Sequence, residues 1–300
     1  MELKKLLLIM NPRSGTMQAA KLLADILQVF NSAGYMTTVL MTQARNDAKE
    51  WAKIYGDQYD TIVVSGGDGT FNELVDGILD AGTHPTIGYI PSGSTNDFAS
   101  SLGLPKTIVE AARRVVEGEP QNLDIGSFNG RHFSYVASFG AFTSTSYNVP
   151  QNLKNILGHA AYMISGVKDI VNIRPIHARI VADPGTPNEM IKEGDYLFGA
   201  ICNSTSIAGL IKLDKMDVDM NDGLMEIFLV KMPKDIIDLN NIISKIINNE
   251  LNTTEMDFFS GQNIHVDIDP GTHWTLDGEY EEGAESIDIH TLRSAISVIA

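Results

Sequence analysis

Thr61-Ile-Val-Val-Ser-Gly-Gly-Asp-Gly-Thr-Phe-Asn72 is the stretch on which the reading of this chain turns. Ile62, Val63 and Val64 form an apolar run long enough for one buried strand. Gly66, Gly67, Asp68 and Gly69 follow at once, and then Phe71, Leu74, Val75 and Ile78 recur at helical spacing. A strand, a glycine turn and a helix place bare backbone N–H groups at a helix N-terminus, where an anion can sit. The glycines are expected to let the backbone pass close to a phosphate and to take positive φ where needed. Two common phosphate loops are excluded by spelling. The turn has no Gly-Lys-Ser/Thr ending, and Asn72 stands where a dinucleotide fingerprint needs its third glycine. Asp68 adds chemistry. A carboxylate in a phosphate cradle repels its ligand unless a cation lies between them or the acid meets a hydroxyl, so the turn points to Mg²⁺-nucleotide chemistry.

The same rhythm extends to both sides. Residues 6–10, 35–41 and 86–90 read as further strands, and helices are expected near residues 22–30, 47–55 and 107–117. Strand and helix alternate at the spacing of βαβ units, which predicts a doubly wound, mostly parallel sheet with helices on both faces. Ligands of such sheets bind beyond the carboxyl ends of the strands. The polar turns containing Asn11, Thr42, Gly66 to Asn72 and Ser94 all fall at those ends.

After about Asn122 the pattern changes. Asn129-Gly130 marks a hairpin, and strands are expected over residues 176–183, 196–202, 224–230, 264–268 and 287–290. This half reads as an all-β, antiparallel β-sandwich domain, interrupted by helices over 153–173 and 235–251. Ile236, Leu239, Ile243, Ile246 and Ile247 of the second helix are assigned to the core. Residues 295–300 form an apolar strand that could return to the first domain. The expected division is 1–125 with about 292–300 as a nucleotide-binding α/β domain, and 126–291 as a substrate domain.

Composition narrows the function. With 300 residues, 43% hydrophobic, the chain can bury two cores. A formal charge of −16 argues against a nucleic-acid partner. One cysteine, Cys202, excludes an internal disulfide and fits a cytoplasmic setting. The histidines, His265 and His290 among them, lack metal spacing, so zinc is not expected. The apolar run in residues 1–10 is too short for a signal segment, and no run of about 18 apolar residues predicts a membrane span.

Acids gather in two further places. Thr275-Leu-Asp-Gly-Glu-Tyr280 sets Asp277 and Glu279 about a glycine; it is either a plain hairpin turn with solvated carboxylates or the source of a general base. Asp214, Asp217, Asp219 and Asp222 crowd an acidic loop whose oxygens suit a hard cation, although the spacing is not that of an EF-hand. Asp124 lies where the two domains should meet.

Four segments in order, Gly66-Gly-Asp-Gly-Thr70, Pro91-Ser-Gly-Ser-Thr-Asn-Asp97, Asn122-Leu-Asp-Ile-Gly126 and Leu276-Asp-Gly-Glu279, resemble the diacylglycerol kinase catalytic family, in its soluble bacterial lipid kinase branch. The first segment alone is shared with NAD kinases and phosphofructokinases. The resemblance implies ATP lying between the two domains. Asn11, Thr42, Gly66, Gly67, Asp68, Gly69, Thr70, Phe71, Asn72 and Ser94 would line its phosphate cleft. It implies catalytic Mg²⁺ on Asp68 and Asp124, a structural Mg²⁺ on Asp217 with Asp214 and Asp219, and a base that is either Asp277 or Glu279. Ser94 stands where the family has threonine and keeps the hydroxyl. The implied activity is phosphorylation of a lipid hydroxyl, diacylglycerol first, by a cytoplasmic enzyme that visits the membrane surface transiently. Phosphatidylglycerol, a sphingoid base and NAD are the alternative acceptors, and a catalytically idle nucleotide sensor is the alternative of another class. Lys154, Lys168 and Arg13 are candidates for a basic patch that meets lipid; a homodimer is left open.

Overall fold

The computed structural model describes residues 4–141, 174–207, 211–213, 216 and 218–300. The expected helix over 153–173, with Lys154 and Lys168, and the acids Asp214 and Asp217 lie outside the described residues. The chain divides into two units, Met1–Ile125 with Arg293–Ala300, and Gly126–Leu292.

In the first unit the order is β1 (Lys4–Met10), α1 (Gln18–Lys21), α2 (Leu23–Ser32), β2 (Tyr35–Met41), α3 (Asp47–Tyr55), β3 (Thr61–Gly66), α4 (Asp68–Ala81), β4 (Thr86–Pro91), α5 (Asp97–Ser101) and α6 (Ile108–Glu117). The strands lie in the order β2-β1-β3-β4, all parallel, with Leu8 opposite Val39 on one side and Val63 on the other. Leu6, Leu8 and Met10 pack against Ile26 and Phe30 of α2 and Ile108, Ala111 and Val115 of α6. Leu7 and Ile9 point to the opposite face by the period of two and are equally buried. There α3 and α4 pack so closely that a Cβ on Gly77 would lie 2.3 Å from the Lys49 carbonyl oxygen. A sheet covered on both faces needs near-continuous apolar strands, which is what residues 6–10 and 62–64 supply.

The second unit holds most of the remaining strands: β5 (Pro120–Phe128), β6 (Arg131–Phe133), β7 (Val136–Gly140), β8 (Ile176–Ala182), β9 (Met190–Cys202), β10 (Ser206–Ile207), β11 (Ile211–Lys212), β12 (Met225–Lys231), β13 (Met256–Gly261), β14 (Asn263–Ile268), β15 (Trp274–Leu276), β16 (Glu279–Glu281) and β17 (Ser286–Ile299). The pairings of β6 with β5, β7 with β9 and β15, β8 with β9 and β14, β12 with β9 and β13, β14 with β17, and β15 with β16 are antiparallel. The long strand β9 pairs with β8 along Met190 to Tyr196, then with β12 from Tyr196 to Cys202 and with β7 from Phe198 to Cys202. Strands on either side thereby share one core, in which Trp274 stacks on Phe128 and Phe139 at 5.1 and 4.8 Å.

Two readings of the sequence are corrected here. The segments 287–290 and 295–300 are not separate strands but parts of β17, which with β5 runs from one unit into the other. Its last residues pair in parallel with β4, Ser297 opposite Thr86. Between the two segments Ser294, with a φ of 46°, bends the strand without ending it. The helix expected over 235–251 is α7 (Ile236–Ile247), capped by the Asp235 carboxylate, which accepts from the Ile237 and Asp238 N–H groups. Its buried edge is Leu239 and Ile242; Ile236, Ile237 and Ile247 are exposed, because the helix docks along one narrow stripe.

Candidate active site

The order β2-β1-β3-β4 reverses direction at β1, so the carboxyl ends of β1 and β3 form the switch point at which such sheets hold ligands. Backbone hydrogen bonds stitch these ends together. The Thr42 N–H donates to the Met10 carbonyl at 2.9 Å, Asn11 N–H to Ser65 at 2.8 Å and Ser92 N–H to Gly66 at 2.8 Å. The Asn11 amide also donates to Thr70 Oγ1 at 3.1 Å, tying the β1 turn to the first turn of α4.

Glycine here serves close approach. Gly66, Gly67 and Gly69 are absent from the positive-φ positions, contrary to the expectation from sequence; Gly67 is extended, at φ −92° and ψ −175°. A Cβ on Gly93 would stand 2.5 Å from Gly67 Cα, and one on Gly15 would stand 2.4 Å from the Ser92 carbonyl oxygen. Three turns from three strands therefore meet backbone to backbone. Asn96 closes the third turn on itself, accepting from the Gly93 N–H at 2.9 Å and donating to its carbonyl at 3.0 Å. Gly67 is the N-cap of α4 and provides no side-chain acceptor; the Thr70 N–H turns back to the Gly67 carbonyl at 3.0 Å, which leaves the Asp68 and Gly69 N–H groups for a ligand.

Asp68, the first residue of α4, sits at the centre. Its carboxylate accepts from Asp97 N–H at 3.1 Å, Phe98 N–H at 3.4 Å and the Tyr89 hydroxyl at 3.4 Å. Burial raises its pKa above the ordinary carboxylate value, and these neutral donors only partly oppose the rise. Asp97 is raised too, by burial and then by the charge of Asp68. Burial and the same charge push the Tyr89 phenol well up, so it stays a donor. Phe71 is assigned to the phosphate loop by the resemblance, but its ring is fully buried between Tyr89 and Phe98, at 4.8 and 4.7 Å. Its N–H is bound to the Gly67 carbonyl, so Phe71 holds the loop from beneath. Thr70 and Asn72 are buried beside it, whereas Ser94 is exposed at the tip of its turn. Asp124 is 1% exposed and accepts from the Ser294 N–H at 2.6 Å, where β17 bends.

In the second unit, Asp277-Gly278 joins β15 to β16 as a two-residue hairpin, with φ of 50° and 82°. The plain-turn reading is right about the backbone and wrong about the carboxylates. Asp277 is 5% exposed and accepts from the N–H groups of Ser134, Tyr135 and Val136 at 2.6, 3.0 and 3.0 Å. Glu279 is partly exposed and bound to Arg131 Nη2 at 3.1 Å. Of the acidic loop, Asp219 is exposed and accepts from Asn221 N–H at 3.0 Å. Beneath it Glu226 is buried, with Oε2 unpartnered and its pKa pushed up to about 8 by burial and by the charges of Asp222 and Asp219.

Residues 5–128 match the model of the diacylglycerol kinase catalytic domain. Over 281 residues, 93% of this chain and 90% of the relative, the sequence is 33% identical to a diacylglycerol kinase of Bacillus subtilis strain 168. The chain belongs to the diacylglycerol kinase family. A diacylglycerol kinase of Staphylococcus saprophyticus is 31% identical over 92% of the chain and 89% of its own length. A crystal structure of a diacylglycerol kinase from Bacillus anthracis, 22% identical, superposes with a TM-score of 0.77 over 100% of this chain and 97% of that one, which shows the shared fold. Membership makes the chain a lipid kinase. No helix among the described residues is long and apolar enough to cross a membrane.

Residues that the sequence left without a role now have neighbours. Asp97 lies within a quoted motif, and its proximity to a second acid was hidden by a separation of 29 positions. Tyr89 reads as an ordinary strand residue. Arg131 meets Glu279 across 148 positions, a separation at which local pattern carries no signal.

Proposed function

We propose that this lipid kinase transfers the γ-phosphate of ATP to the free hydroxyl of diacylglycerol, giving phosphatidate, at the cytoplasmic face of a membrane. The cluster of three turns around Asp68 carries the reading. Gly67 to Gly69 present backbone N–H groups to the phosphates, and Asn11, Thr42 and Ser94 belong to the same strand ends. Asp68 receives only amide and phenol donors, and burial raises both it and Asp97. A site with that much unneutralised acid suits a hard divalent cation. Asp68 is assigned as its ligand, with Asp124 as a second; Mg²⁺ bound there would neutralise the transferring phosphate. Asp219, with Asp214 and Asp217, is assigned to a separate structural cation.

Glu279 is assigned as the base that accepts the acceptor's O–H proton as the oxygen attacks the γ-phosphorus and ADP leaves. Asp277 is the weaker candidate because three backbone N–H groups already occupy its carboxylate. Phosphoryl transfer asks the protein mainly for positioning and charge neutralisation, which is what a rigid loop cluster and a fixed carboxylate provide. Radiolabelled ATP offered with mixed micelles of diacylglycerol, phosphatidylglycerol or a sphingoid base, and separately with NAD, tests the reading. Label is expected in phosphatidate. Label in another lipid would move the acceptor, and label in NAD alone would overturn the proposal.

A further inference from the structure

We infer that Arg131 is a positioning residue for phosphoryl transfer, acting through Glu279; the inference rests on Glu279 being the base. Arg131 opens β6, directly after the Asn129-Gly130 hairpin whose two residues have φ of 46° and 89°. That turn fixes where its guanidinium starts. From there it reaches β16 at three successive residues. Nη2 donates to the Glu279 carboxylate at 3.1 Å, Nη1 donates to the Tyr280 carbonyl at 3.1 Å, and Nη1 also meets the Glu281 carboxylate. Side chains at positions 279 and 281 share a face of the strand, so one planar group spans both acids.

The three side chains are 31%, 33% and 23% exposed, for Arg131, Glu279 and Glu281, which leaves the clamp half in solvent. An ion pair so placed adds little to stability. What it does provide is geometry. Glu279 stands on a three-residue edge strand with a neighbouring like charge, Glu281, two residues away. Arg131 holds its carboxylate with a rigid fork that lysine cannot reproduce. Misplacing a reacting group by about 1 Å costs on the order of 10²-fold in rate. The other acid of the hairpin, Asp277, is held by backbone donors and needs no such clamp.

The test compares Arg131→Gln, Arg131→Lys, Glu279→Ala and the double variant Arg131→Gln/Glu279→Ala, with ATP and diacylglycerol in mixed micelles. Arg131→Gln is expected to lower kcat about tenfold to 10²-fold, with KM for ATP unchanged. Arg131→Lys should recover part of the loss by keeping the charge without the fork. The double variant should be no slower than Glu279→Ala alone, since Arg131 has no route to the reaction except through that carboxylate. Multiplying losses in the double variant would overturn the inference. So would a wild-type kcat in Arg131→Gln beside an inactive Glu279→Ala, or a rise in KM for ATP that accounts for the whole defect. If Arg131→Gln does not fold, a wild-type kcat in Arg131→Lys is the refuting result. An active Glu279→Ala would instead remove the base assignment itself, and the inference with it.

Discussion

Two glycine–acid turns, one in each unit, look alike in sequence and differ in how they use their carboxylates. At the β3–α4 turn, Asp68 is left with neutral donors and a raised pKa, at the head of an uncapped helix. At the β15–β16 turn, Asp277 is consumed by three backbone N–H groups, and Glu279 is held by an arginine. The first turn keeps its acid under electrostatic stress, available to a cation. The second uses one acid to build the turn and presents the other. The same three letters, acid-glycine-other, therefore mark an electrostatically stressed acid in one unit and a structural peg beside the proposed base in the other.

The largest expected effect separates the two acids of the second turn. Glu279→Ala should lower kcat by about 10²–10⁴-fold and leave the melting temperature near wild type, since its carboxylate is partly exposed. Asp68→Ala should be comparably inactive. Steady-state transfer with a parallel thermal melt checks both; a Glu279→Ala enzyme with wild-type turnover would erase the contrast.

Asp277→Asn comes next. The amide keeps one acceptor oxygen but turns an NH₂ toward a backbone N–H, leaving buried donors unsatisfied at about 1–3 kcal/mol each. Chemical denaturation should show a loss of that order, with residual activity in the fraction that remains folded. Unchanged stability together with abolished transfer would reverse the assignment of roles within the hairpin.

Gly93→Ala tests whether the first site depends on backbone contact. The new Cβ meets Gly67 Cα at 2.5 Å, with no flexible side chain to give way. A destabilisation of about 1–3 kcal/mol and weaker ATP binding, read by calorimetry, are expected; wild-type binding would show that the turns need not touch.

The smallest effect is a pH dependence at Asp68. Its folded pKa is raised, so the native state holds the proton more tightly than the unfolded chain. Below the unfolded value of about 3.8 both states are protonated and nothing is lost. As pH rises through the folded pKa the native state must carry a buried charge, and stability falls. Asp68→Asn, measured without divalent metal, should therefore melt higher than wild type at neutral pH, and the gap should close in acid. The same substitution at 277 moves stability the other way, which sharpens the comparison between the turns.

Much of this was legible before any coordinates. The apolar runs at 6–10 and 62–64 require a sheet covered on both sides, and the turns that follow them must then lie at one edge. The Asn129-Gly130 and Asp277-Gly278 pairs require hairpins, because few other residue pairs accept two successive left-handed conformations. Less legible was the buried face of α7, since seven isoleucine and leucine positions within one helix fit more than one stripe. The continuity of β17 was hidden as well, because the bend at Ser294 is held by the Asp124 carboxylate, 170 positions away.

Sequence alone determined the elements, their alternation and the set of acids worth watching, because these follow from short-range periodicity and from the steric needs of glycine turns. Tertiary structure decided what each acid does. Whether a carboxylate receives backbone amides, a guanidinium or another carboxylate depends on chain segments tens to hundreds of residues away, and its burial and charge are set by that company.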